Sequence, residues 1–368
     1  MEKDFVLPFY VKSTIFLIGI FALLTMIYIA QSIILPFIFA LLISIILHPV
    51  VHLLMRMKIN RIISIFLTLL FTVIIIVGIT AILYSQAIKF SESWPVIVDK
   101  IAIIFKESTA WVSTYFDLSP WKVHQWVAKT NTELINFSGA EIGHTISILG
   151  SAVIMLFIIP IYVILMLYYE PLLLSFISKL FAEIHQKKVS QIISQIKVVI
   201  QRYLVGLVIE FFIVAILYST ALLLLGVDYA IMLGIIGAVL NVIPYLGAFI
   251  AASLSILIAL ATNSTGWHII YILLSYYIIH LFDYNFIIPK IVASKVKINA
   301  LISFLVIISS GALLGIPGML ICIPITGVLK LIFDHIKSLE PWGFLLGDTM
   351  PPLIKIKPIL KTLKKKIL

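Results

Sequence analysis

Two acids stand inside long apolar runs, Asp283 within Tyr277–Pro289 and Glu210 within Leu204–Leu225. A charged group at bilayer depth is costly, so an acid in such a place marks an ion or proton pathway. Asn285 lies beside Asp283 and His280 one turn before it. A carboxylate, an amide and an imidazole therefore fall near one side of a helix. The plainer alternative puts Asp283 near the end of its run, where water reaches it. Arg202 precedes Glu210 by two turns and is no i,i+4 partner. Backbone supplies the second kind of chemistry. Asn241-Val242-Ile243-Pro244-Tyr245-Leu246-Gly247 interrupts one apolar run, and Gly315-Ile316-Pro317-Gly318 interrupts another. Proline removes a donor and breaks the helix, and unwound backbone survives at membrane depth only where protein buries it or it lines a wet cavity. Half-helix ends there hold solutes or cations. Asn241, Pro244, Tyr245, Gly247, Gly315, Pro317 and Gly318 are thus the candidate substrate path, with Asp283, Asn285 and Glu210 as candidate ion-coupling groups. The alternative is that the breaks are packing kinks, since Gly and Pro are common in membrane helices.

Other residue sets carry less. His48 and His52 are one turn apart, a possible metal pair by spacing, but no third ligand is near and a basic turn follows, which favours a place at the membrane edge. The single cysteine, Cys322, excludes a cysteine metal site and a disulfide framework. Nucleophile elbow, phosphate-binding loop and zinc-protease helix are all missing from the sequence. An enzyme is not expected, nor a cofactor.

The elements that must position these groups follow from composition. The 368 residues are 62% hydrophobic and 11% charged, against about 25% charged in soluble domains, so the bilayer must be the solvent. The net charge of +10 lies in gaps between apolar runs and in a tail rich in lysine, which points to anionic headgroups and not to nucleic acid. A spanning helix needs roughly 20 apolar residues. Ser13–Ala30, Ile33–Met55, Ile62–Tyr84, Ile146–Tyr169, Leu204–Leu225 and Trp267–Pro289 satisfy this. The fold expected is all-α and polytopic, with about eight transmembrane segments counting the two broken runs.

Between spans three and four, Ser85–Thr145 is too polar to cross and holds Trp94, Trp111, Trp121 and Trp126, which suggests short helices lying on the surface. Ile184–Tyr203 has an apolar stripe at Ile192, Ile196, Val199 and Tyr203 and is expected as a solvated linker helix, the alternatives being one that rests on the membrane or packs under a neighbour. The resulting organisation is 1–84 as three membrane helices and 85–145 as an extracytoplasmic amphipathic region. Residues 146–203 give the fourth span and a cytoplasmic helix, 204–337 a transport core, and 338–368 a basic cytoplasmic tail. Arg56, Lys58 and Arg61 place the turn after span two in the cytoplasm. If every later run crossed once, Lys290, Lys295 and Lys297 would face outward, against the same rule. The conflict goes if Ala230–Ala261 and Asn299–Phe333 are re-entrant hairpins of opposite orientation; eight simple spans, two of them kinked, is the alternative.

From about Ser13 to Asp348 the chain resembles the autoinducer-2 exporter family, also described as PerM-like permeases. The likeness rests on His48-Pro49-Val50-Val51 before a basic turn, on Asn241–Gly247, and on Asn285-Phe286-Ile287-Ile288-Pro289-Lys290-Ile291-Val292 followed by Gly311, Gly315, Gly318 and Pro324. Ser294-Lys295 and Ala300 depart from the family's usual Gly-Lys and proline. The charge pattern puts both termini in the cytoplasm, and the resemblance implies transport across a bacterial inner membrane and homo-oligomers. It implies export of a small polar solute such as the autoinducer-2 quorum-sensing signal, or sodium/proton antiport. A non-transporting scaffold is the alternative from another class.

Overall fold

The computed structural model describes residues 8–116, 157–181, 183–244, 247–262, 267–292 and 298–349. In hydrocarbon a backbone can satisfy its own N–H and C=O groups only as helices or as a closed barrel, and the named elements are all helices. They are α1 (Phe9–Ile29), α2 (Gln31–Arg56), α3 (Arg61–Phe116), α4 (Phe157–Lys179), α5 (Glu183–Leu224), α6 (Ala230–Asn241), α7 (Gly247–Thr262), α8 (Trp267–Phe282), α9 (Ala300–His335) and α10 (Glu340–Leu346). Among the described residues, seven helices are long and apolar enough to cross a membrane, while α6 and α7 are too short.

One of those seven does not run straight. Gly315 has φ 66° and ψ −156° inside α9, a conformation that costs other residues dearly but glycine little. The chain reverses there. A Cβ built on Gly311 would fall 2.1 Å from Met319, and one on Gly318 would fall 2.5 Å from the Ser310 carbonyl. Ile307 packs with Cys322. At the open end, Asn299 donates to the Gly347 carbonyl at 3.0 Å, and a Cβ on Gly347 would touch Lys330. Both ends of α9 therefore meet on one side, as a helical hairpin.

α6 and α7 form the other hairpin. Gly237 faces Ala251, and a Cβ on Gly247 would lie 1.8 Å from the Leu240 carbonyl. Tyr229 before α6 and Ala261 near the end of α7 join one cluster with Phe90, Trp94, Ile97 and Ile101 of α3. The hairpins point in opposite directions. The base of the second lies where Ile298 and Val328 pack with Ile196–Leu207 of α5 and with Leu42, Ile45 and Ile46 of α2. The first has its base at the far end of α5, beyond Leu222. They meet at the tip of the first, where Ile243 packs on Ile307 and Cys322. Between helices in lipid, small residues allow close approach: α6 crosses α5 so tightly that a Cβ on Gly234 would reach 2.2 Å from the Ser219 hydroxyl.

Two expectations are corrected. Residues 85–116 are not short surface helices; they extend span three as a single 56-residue helix, α3. Its first part, Arg61–Trp94, is the membrane-length stretch. Hydropathy marks where the lipid-compatible segment stops, but extending a nucleated helix by one more residue is cheap. Trp121 and Trp126 lie outside the described residues. Likewise Ile184–Tyr203 is no solvated linker: it is continuous with span five in the 42-residue α5, across the 203/204 boundary. Ile200 and Leu204 are buried, and Ile196, Val199 and Tyr203 pack with them against α2.

Candidate functional site

Three polar side chains from three elements converge at the tip of the first hairpin. α6 ends at Asn241 because Pro244 follows within one turn and cannot supply its N–H. The break is closed by the Ile243 amide donating to the Leu240 carbonyl at 2.9 Å and the Gly247 amide donating to the Ile243 carbonyl at 3.1 Å. The Asn241 amide nitrogen donates to Asp283 Oδ2 at 3.0 Å and reaches Glu210 Oε1 at 3.5 Å. Asp283 is 3% and Glu210 7% exposed. The geometry joins two buried carboxylates through one amide.

α8 prepares the Asp283 position by changing its winding. From Asp283 to Val292 the helix is π-helical, with Pro289 inside, and such wide turns are rare and recur at functional sites. Asp283 and Ile287 are buried while Tyr284, Asn285 and Phe286 are exposed. Asp283 Oδ1 is buried without a hydrogen-bond partner among the described residues. None of the ion pairs among those residues reaches Asp283 or Glu210.

Magnitudes decide what this cluster needs. Two unit charges about 4 Å apart repel by about 4 kcal/mol at an effective dielectric constant of about 20. A hydrogen bond to a charged group contributes about 1.5–3 kcal/mol. One amide shared by two carboxylates does not offset a repulsion of that size.

The placement of the other sequence candidates differs. Asn285 is exposed and its amide donates to the Leu281 carbonyl at 2.7 Å, so the amide beside Asp283 comes from Asn241 instead. His280 is exposed, its ring 6.5 Å from that of Tyr284. Pro244 and Gly247 flank the break, and Tyr245 lies outside the described residues. Gly318 is buried between the arms of the second hairpin. Gly315 and Pro317 lie at its exposed tip, where Ile316 is 63% exposed, and not at the carboxylate cluster. His48 and His52 stack at 6.1 Å, and no metal-holding group of three such residues occurs among the described residues.

Sequence reasoning missed a second buried polar contact. Ser255 of α7 and Tyr276 of α8 share a hydrogen bond of 2.8 Å, and Tyr218 of α5 stacks on Tyr276 with ring centroids 4.3 Å apart. Nothing in a run of apolar residues distinguishes these hydroxyls from surface ones; only their burial does.

Comparison with known proteins fits this architecture. A family model described as AI-2E family transporter matches residues 16–338. YrrI of Bacillus subtilis (strain 168) is 30% identical over 133 residues, 36% of this chain and 37% of that protein. YhhT of Escherichia coli (strain K12) is 28% identical over 128 residues, 35% of this chain and 36% of YhhT. The matches to these two therefore span little more than a third of their length. The AI-2 transport protein TqsA of Escherichia coli (strain K12) is 24% identical over 320 residues, 87% of this chain and 90% of TqsA.

Proposed function

The chain belongs to the AI-2E transporter family, and we propose that it works as a cation- or proton-coupled secondary transporter of a bacterial inner membrane. The observation that carries this reading is the Glu210–Asn241–Asp283 cluster at the tip of the first hairpin. Two buried carboxylates supply hard oxygen groups of the kind that bind Na⁺ or H⁺ in turn, and a helix break brings half-helix ends to the same place. Glu210 and Asp283 hold the coupling ion. Asn241 keeps them within reach of one another. Pro244 and Gly247 flank the adjoining path, and the second hairpin, folded at Gly315, Pro317 and Gly318, packs against it through Ile307 and Cys322.

The test is ion flux in proteoliposomes under a pH gradient, read as dequenching of an internal pH dye on adding sodium. Asp283→Asn and Glu210→Gln should each abolish the sodium-dependent signal while the protein still elutes as a folded species. Because H⁺ and Na⁺ compete for the same oxygens, the sodium concentration for half-maximal response should rise as pH falls. A native chain with no response to sodium or to any other monovalent cation ends this reading.

A second reading has its own support. TqsA, similar over nearly the whole chain, is named for AI-2 transport, so the exported solute is a small polar molecule of the autoinducer-2 kind, driven by the same ion gradient. Everted vesicles containing the native chain should accumulate labelled signal, and Asp283→Asn vesicles should not. Homo-oligomers, and anionic lipid around the lysine tail, belong to this proposal as partners.

A further inference from the structure

A second cluster of charge lies away from the carboxylate site, where four helices meet. Glu170 of α4 accepts a short hydrogen bond from Lys197 Nζ of α5. His48 of α2 places Nε2 3.3 Å from the same Glu170 oxygen and 3.0 Å from Lys197 Nζ. Arg61 of α3 lies 3.9 Å from the other Glu170 oxygen and donates to the Leu167 carbonyl at 2.6 Å. The four side chains are 23–31% exposed. The other titratable group facing His48 is His52, stacked one turn along α2.

His48 Nε2 cannot serve both neighbours at once. Lys197 is only a donor, so its 3.0 Å contact requires a lone pair on Nε2 and a neutral ring. Glu170 is only an acceptor, so a bond to it requires N–H at the same atom. Protonation moves the ring from the first partner to the second and sets its positive charge against the Lys197 ammonium. The helices on either side differ in how they are held. Ala40, Leu47 and Val51 of α2, Ile65 of α3, and Val163, Met166 and Leu167 of α4 form one buried cluster. α5 touches α2 beside Lys197 through the small cluster of Ile196, Val199, Ile200 and Leu204 with Leu42, Ile45 and Ile46, and from Phe211 onward it belongs to another cluster with α6, α7 and α8.

We propose that His48, Glu170 and Lys197 form a proton-sensitive clasp between the α2–α4 bundle and α5, closed when His48 is neutral and opened on the α5 side when it is protonated. The clasp sets how tightly the helix bearing Glu210 is fixed to the bundle. It makes no use of the coupling site, and its test needs no ion flux, so it stands or falls apart from the transport reading.

Spin labels on a Cys322→Ser background report it in nanodiscs by pulsed electron spin resonance. One pair joins the exposed positions Leu53 of α2 and Val198 of α5, and a control pair joins Leu53 and Leu173 of α4. Distances are read at about pH 8 and about pH 5.5, either side of the range in which histidines gain a proton. Acidification should add a longer-distance population to the α2–α5 pair and leave the α2–α4 pair unchanged. Both His48→Gln and Lys197→Met should remove that acid response. Identical α2–α5 distributions at the two pH values in the native chain overturn the proposal. So does an acid response that survives in His48→Gln, or, should that variant not fold, in Lys197→Met.

Discussion

At the scale of single residues, Asn241 and Asn285 make opposite predictions although both read as amides near an acid. Asn241 is the donor between two buried carboxylates. Replacing it with leucine leaves both without that donor, which costs about 1–3 kcal/mol for each buried unsatisfied group and should appear as a lowered thermal midpoint and a lost ion response. Asn285→Ala removes an exposed amide bonded to its own helix and should change neither quantity measurably; a large loss there would mean that Asn285 and not Asn241 serves Asp283. The candidates Glu210, Asn241 and Asp283 were all legible as polar residues in apolar surroundings. Their convergence was not, since 31 and 42 positions separate Asn241 from the two acids. Choosing Asn285 as the amide followed proximity along the chain, and the π-helical winding that begins at Asp283 has no marker in the sequence beyond Pro289.

At the scale of elements, the two breaks use glycine for different physical reasons, and substitution separates them. Gly247 is a close approach: its Cβ would be 1.8 Å from the Leu240 carbonyl and 2.7 Å from Asn241 Cα. Gly247→Ala forces the arms of the first hairpin apart, which should cost about 3 kcal/mol or more and disturb the carboxylate cluster with it. Gly315 has open surroundings but combines φ 66° with ψ −156°, a region almost reserved to glycine, so Gly315→Ala carries only a local backbone penalty of about 1–3 kcal/mol and should leave ion binding intact. Thermal unfolding in detergent, together with ion response, measures both; equal losses in the two variants would refute the distinction. The breaks themselves were plain in the sequence because Pro and Gly interrupt runs otherwise rich in Ile, Leu and Ala. Helix ends were less plain. α3 and α5 both continue past the point where hydropathy falls, since polarity ends a membrane span without ending a helix.

At the scale of the molecule, six crossings and two opposed hairpins make a statement about sidedness that eight crossings contradict. α5 runs from the level of Lys197 to that of Leu222. The first hairpin closes its base beyond Leu222, near Tyr229 and Ala261, so α8 begins on that side and must cross back. It emerges by Ile298, which packs at the level of Ile196–Leu207 and beside α2, the helix that ends at the Arg56–Arg61 turn. This arrangement predicts Lys290 and Lys58 on one face of the membrane and Asp228 on the other, and all three are exposed. Single cysteines at these positions, on the Cys322→Ser background, should react with an impermeant maleimide in two groups. Lys58→Cys and Lys290→Cys should label from the same side, which the positive-inside rule makes the cytoplasm, and Asp228→Cys from the opposite side. If α6 and α7 formed one kinked span, Lys290→Cys would instead label together with Asp228→Cys. The Glu210–Asn241–Asp283 cluster would then lose its place at the tip of a re-entrant loop, where a single ion can be offered to one face at a time.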